Sequence, residues 1–118
     1  MSKIYGLQQH QKLNYSNDFM QVFANKKFFT TNNLKIHYIN NKLNHSRLGI
    51  IVSKKNHKKA TVRNYLKRIV RELFRLNQNY LPNIDIIVRF YYNCELINFN
   101  QIKQEFEKFV KKQTKTYR

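Results

Sequence analysis

An α+β fold is predicted for this chain of 118 residues: an α–β sandwich of a small four-stranded sheet and three helices, in the order α-β-β-β-α-β-α. Three observations predict it. The runs "LKIHYIN", "RLGIIVS" and "DIIVRF" are rich in branched and aromatic residues and have the length of strands. Three longer stretches repeat their apolar residues at helical spacing. The two kinds alternate as helix, strands, helix, strand, helix, so the helices bury their apolar faces by packing on a sheet. One domain spanning 1–118 is expected, long enough for a single modest core, with 1–12 and 113–118 as flexible tails.

The first helix is expected in "NYSNDFMQVFANK". Asn14 or Ser16 can cap it, and Asp18 suits its first turn, where a negative charge meets the positive end of the helix dipole. Tyr15, Phe19, Val22 and Phe23 fall on one face. "KFFTT" is a short strand, residues 34–40 are a second, and "NKLNH" is a turn. Residues 47–53 make a third strand, in which Gly49 marks a close backbone approach. A basic loop covers 54–60, and a helix follows over about 62–80, with Pro82 as its stop signal. The fourth strand covers 85–90. The last helix runs over about 100–112, where Ile102, Phe106, Phe109 and Val110 share a face.

Hydrophobic residues make up 42% of the chain, with nine Phe and eight Tyr, which is not the composition of a disordered polymer. Against that core, 23 Lys and Arg face six Asp and Glu, a formal net charge of +17. Self-repulsion of that size does nothing for a compact fold. A polyanionic partner neutralises it, and nucleic acid is the leading class, ahead of an anionic membrane surface.

Residues 54–75, "KKNHKKATVRNYLKRIVRELFR", carry nine of the cations. On a wheel advancing about 100° per residue, Arg63, Asn64, Lys67, Arg68, Arg71 and Arg75 gather on one side. Tyr65, Leu66, Ile69, Leu73, Leu76 and Tyr80 take the opposite arc, with Val70 and Phe74 at a border. Like charges at i,i+4 destabilise a helix, and only Glu72 offers relief, so a merely solvated face would be better served by mixed charge. Arg predominates inside the helix, and its planar fork suits bidentate contact with phosphate. Lys54, Lys55, Lys58 and Lys59 extend the patch to the helix N-terminus, which itself favours anions.

Other readings fit the residues less well. A metal-dependent nuclease needs clustered carboxylates, but Asp18, Glu72, Asp85, Glu95, Glu105 and Glu107 are scattered. His10, His37, His45 and His57 form no acid–base motif, and His10 and His57 read as surface residues. Cys94 is the one cysteine, a small, partly buried thiol, so neither a disulfide nor a Cys-rich zinc site is expected. An apolar strand precedes the basic helix where a helix-turn-helix would need another helix. No apolar run reaches signal-peptide or membrane-spanning length, so a soluble, cytoplasmic protein with no membrane partner is expected. A structural RNA-binding protein, such as a ribosomal one, would have the same composition and stays open.

The segment "RLGIIVSKKNHKKATVRNYLKRIVRELFR" resembles the protein component of bacterial ribonuclease P. The family pattern is Arg, an apolar residue and Gly, an apolar strand, Ser/Ala-Lys-Lys, a basic loop, then Arg-Asn-x-x-Lys-Arg-x-x-Arg-Glu. Arg47, Gly49, Ser53-Lys54-Lys55, Arg63-Asn64, Lys67-Arg68 and Arg71-Glu72 match it at the same spacing. "NDFMQVF" resembles the family's first helix, "KIHYIN" its strand carrying a Tyr, and "DIIVRF" the strand after the basic helix, so the likeness covers about 13–112. One position departs: Tyr65 stands where the family usually has Arg, with Lys58 and Lys59 as neighbours that could replace the contact.

The resemblance implies a left-handed βαβ crossover, against the usual rule. It also implies a subunit of a ribonucleoprotein endonuclease that removes the 5′ leader of precursor tRNA, with one protein per catalytic RNA. The active site and its magnesium would belong to the RNA, with no catalytic residue, metal site or cofactor intrinsic to this chain. Contacts to the RNA subunit would come from Lys54, Lys55, Lys58, Lys59, Arg63, Asn64, Lys67, Arg68 and Arg71. The single-stranded leader would lie in a cleft of Phe19, Phe23, Ile36 and Tyr38, since unpaired RNA is commonly held by aromatic stacking beside basic groups. Helical spacing leaves Phe19 and Phe23 equally readable as core.

Overall fold

A computed structural model describes residues 9–13, 17–90 and 98–117. The expected caps Asn14 and Ser16, and also Cys94 and Glu95, lie outside the described residues. The elements are α1 (Asn17–Ala24), β1 (Phe28–Thr30), β2 (Leu34–Asn40), β3 (Arg47–Ile51), α2 (Ala60–Asn77), β4 (Ile84–Phe90) and α3 (Phe99–Tyr117). The order is the expected one. The four strands form one sheet in the order β1-β2-β4-β3. β2 is antiparallel to both β1 and β4, while β3 and β4 run parallel and are joined through α2.

Alternation along the strands divides the side chains between two layers. Leu34 and Ile36 of β2 and Ile84, Ile86, Val88 and Phe90 of β4 face the larger core, closed by α2 and α3. The other face carries a smaller cluster of Leu13, Phe19, Val22 and Ile87 beneath α1. Gly49 lies under that helix. A Cβ there would sit 2.4 Å from the Phe19 ring, so the close approach read from the sequence is an aromatic ring resting on backbone.

Arg47 fixes the same layer. Its Nε and Nη2 donate to the two carboxylate oxygens of Asp85 at 2.9 and 2.7 Å, and Asp18 of α1 lies 3.6 Å from Nη1. These bonds raise the Arg47 pKa against the opposing effect of burial.

Two expectations change. Parts of both terminal stretches are held by the fold: Lys12 bridges to Leu48, the Leu13 N–H donates to the Leu48 carbonyl, and α3 continues through the buried Gln113 to Tyr117. The basic helix is also rotated from the wheel reading. Val70 and Phe74 are fully buried, whereas Tyr65 and Leu76 are about half exposed and Tyr80, in a closing 3-10 turn, is more so. Leu66, Ile69, Val70, Leu73 and Phe74 repeat at i, i+3, i+4, i+7 and i+8, and that stripe meets the sheet.

Candidate nucleic-acid interface

The turn after β3 presents the first cations. The Ser53 hydroxyl accepts from the Asn56 N–H, and the Ser53 carbonyl accepts from the His57 N–H at 3.0 Å. His57 is fully buried, with its ring 6.2 Å from that of Phe90, so it is an anchor and not the surface residue expected. Lys54, Lys55, Lys58 and Lys59 stand exposed around it. Arg63 reaches back from α2, its Nη1 donating to the carbonyls of His57 and Lys58 at 2.8 and 2.9 Å. Arg63 thus ties the loop to the helix. Lys59 precedes α2 in extended backbone without a side-chain cap, and the first turn holds no acid, so the positive helix end stays electrostatically open to an anion.

The rotation of α2 sorts its remaining cations. Asn64, Arg68 and Arg75 are exposed, while Lys67 and Arg71 are half-buried at the border toward β3. There Lys67 and Arg71, with Lys12, rim a shallow cleft floored by Leu48, Gly49 and Ile50. Arg75 is engaged by Glu72 at 2.6 Å. The result is a continuous basic surface from the Ser53 turn along one side of α2.

The four residues expected to form one leader cleft do not converge. Phe19 and Phe23 lie on the α1 side of the sheet. Ile36 is fully buried on the other side, and Tyr38 packs its ring 5.5 Å from Phe109 of α3. The reason is the two-residue period of β2, which puts 36 and 38 on the face opposite 37. Phe19 is core, seated on Gly49, and also lines the cleft rimmed by Lys67 and Arg71.

Phe23 keeps a different neighbourhood. Its ring meets His37 edge-on at 4.7 Å, and the exposed Phe28 lies beyond, with Lys35 Nζ 4.3 Å above its ring. Strand register aligns Thr30, Lys35, Arg89 and Ile51 in one row across the sheet. A groove of about 410 Å³ follows, lined by Phe23, Ile51, Ser53, Asn56, Arg89 and Phe90. Of the expected cleft only Phe23 belongs to it. Lys35, His37 and Arg89 were missed, though the alternation of β2 carries the signal that 35 and 37 share a face.

Comparison with known proteins bears directly on this arrangement. The profile of the family Ribonuclease P matches residues 7–114. The chain belongs to that family. It is 42% identical over 78 residues to the ribonuclease P protein component of Azoarcus sp. (strain BH72), covering 66% of this chain and 65% of that protein. It is 42% identical over 88 residues to the ribonuclease P protein component of Chromobacterium violaceum, covering 75% and 58%. The chain therefore spans about two-thirds or less of the length of these relatives. Among solved structures, the RNase P protein from Thermotoga maritima is 31% identical, with a TM-score of 0.77 over 86% of this chain and 96% of that one.

Within the ribonuclease P motif the geometry separates builders from presenters. Arg47, Gly49 and Ser53 are engaged in the fold, and Arg63 in part. Lys54, Lys55, Asn64 and Arg68 face solvent, and Lys67 and Arg71 border the β3 cleft. Four of the five carboxylates among the described residues are likewise occupied: Asp18 and Asp85 with Arg47, Glu72 with Arg75, and Glu105 with Asn33 and Thr31. No helix among the described residues is long and apolar enough to cross a membrane.

His37 adds a pH dependence. Burial, then the charges of Lys35 and Arg89, push its pKa from 6.5 down to about 4, so the imidazole is neutral at physiological pH. The unfolded chain binds a proton near pH 6.5 that the folded chain rejects until about pH 4, so stability is lost as pH falls through that window. Urea unfolding at about pH 5 is expected to give roughly 2 kcal/mol less from this group than at about pH 7.5. The His37→Phe variant should lose that part of the pH dependence; an unchanged profile would remove His37 as its source.

Proposed function

We propose that this chain, as one RNA-binding domain, is the protein subunit of the cytoplasmic ribonuclease P ribonucleoprotein and assists removal of the 5′ leader from precursor tRNA. The carrying observation is the continuous basic surface of Lys54, Lys55, Lys58, Lys59, Asn64, Lys67, Arg68 and Arg71, on a frame whose described acids are largely engaged elsewhere. Arg and Lys at that surface neutralise phosphates of the catalytic RNA, with one protein per RNA. The single-stranded leader lies across the other face, its bases against Phe23 and Phe28 and its phosphates beside Lys35 and Arg89.

Magnesium enters this reading with the RNA. Asp18, Asp85, Glu72 and Glu105 each hold a protein partner, so they do not fit a resident metal, and no step is assigned to one. The chain's own work is to screen phosphate repulsion between RNA subunit and substrate, and to hold the leader in a fixed direction.

The test is precursor-tRNA cleavage at low magnesium with the cognate catalytic RNA alone, the protein alone, and both together. Stimulation only in the combined arm is expected. Cleavage by the protein alone would move the chemistry into this chain. Tight RNA binding without stimulation would leave a structural RNA-binding protein.

A further inference from the structure

Tyr65 departs from the family pattern, and the fold gives it a setting that an Arg at that position would not need. It is 47% exposed, not packed into the core as its place on the wheel suggested. With Arg68, Ile69 and Glu72 of α2 and Phe99 at the start of α3, it lines a groove of about 310 Å³ between the two helices. This groove lies on the α3 side of the exposed ridge of Asn64 and Arg68, and the β3 cleft with Lys67 and Arg71 lies on the other. Ile69 is buried and gives the groove an apolar floor.

We propose that this groove takes one unpaired nucleobase of the RNA held on α2, stacked on the Tyr65 ring. The inference rests on the RNA-binding reading and adds a contact to it. Three properties select a base over other occupants. Tyr65 and Phe99 supply aromatic surface, which every nucleobase matches with its own π-face. Arg68 at the rim is exposed and continues the basic ridge, so the phosphate attached to an inserted base meets a cation. Glu72 lines the same space, its carboxylate held by Arg75. It repels phosphate but accepts hydrogen bonds, and its oxygens hold Arg75 at 3.2 and 2.6 Å with lone pairs to spare. A base edge bearing an exocyclic amino group satisfies that carboxylate, while the backbone stays outside on Arg68. Tyr65 in place of the family's usual Arg thus exchanges a cation for an aromatic base contact on the same helix.

The two kinds of contact differ in their response to salt. A phosphate contact releases counterions and a stacked base does not. The experiment measures binding of the full chain to the cognate catalytic RNA across a salt series. The Tyr65→Ala variant is expected to bind about 5- to 150-fold more weakly at every salt concentration, with the slope unchanged. Tyr65→Phe keeps the ring and should bind like the parent. Tyr65→Ala binding like the parent would overturn the proposal, as would a loss of slope along with affinity, or Tyr65→Phe failing like Tyr65→Ala. An effect of Tyr65→Ala on self-association and not on RNA affinity would assign the groove to protein and also overturn it. A Lys67, Arg68 and Arg71 triple alanine variant in the same titration separates the layers. If it weakens binding while Tyr65→Ala does not, only the groove assignment fails. If neither does, the RNA face itself fails.

Discussion

Alanine at Lys67, Arg68 and Arg71 together is expected to lower affinity for the catalytic RNA about 100- to 500-fold at roughly 0.1 M monovalent salt. The magnitude follows from counterion release: each lost phosphate contact removes about 0.7–0.9 from the slope of log affinity against log salt, about five- to eightfold at that concentration. Three contacts therefore remove about 2–3 from the slope. The variant should fold normally, because Arg68 is exposed and Lys67 and Arg71 are only half-buried at the border of α2. Arg63 is deliberately absent from the set. It holds the His57 and Lys58 carbonyls, so its loss would move the loop lysines and confuse a charge effect with a structural one. A titration in which affinity and slope both survive would show that RNA does not lie on this helix.

The second large effect concerns the fold. Asp85→Ala is expected to destabilise the protein by about 2–4 kcal/mol, because it strands Arg47 without its bidentate partner in a largely buried position. The Asn41 side chain, which donates to the same carboxylate at 2.8 Å, keeps only the His45 carbonyl as an acceptor. For a domain of this size the thermal midpoint should fall by roughly 10 °C. Asp18→Ala is the contrast. Its 3.6 Å ion pair with Arg47 is long and partly exposed, and removal should cost under about 1 kcal/mol. Equal effects of the two substitutions, measured by urea unfolding, would mean that the clamp is not centred on Asp85.

Much of the fold was legible because local signals agreed with tertiary ones. β2 matches its expected limits, since branched residues and alternation fill the whole run from 34 to 40. α2 starts at Ala60, two residues earlier than expected, because Ala60 and Thr61 are exposed and lie outside the buried stripe, and Lys59 offers no side-chain cap. The basic surface was legible because exposed charge needs no packing information. The placement of Phe19, Phe23, Ile36 and Tyr38 on different faces was not. Alternation says that 36 and 38 share a face but not which helix covers it, and that choice is made by α1 settling on Gly49. The burial of His57 was invisible for a similar reason: a polar loop carries no periodic sign that one of its members turns inward.

The Ser53 turn has a consequence of a metrological kind. Ser53 and Asn56 line the groove beside Phe23 and Arg89, and Lys54 and Lys55, between them in sequence, stand exposed where the basic surface begins. The two strands of nucleic acid assigned to these surfaces would be gauged against each other across a few backbone hydrogen bonds, with no flexible linker between. Salt or temperature would then alter how tightly each strand is gripped but not how far apart they are held. The protein would act as a calliper with fixed jaws, and its contribution to the choice of cleavage position would be a length.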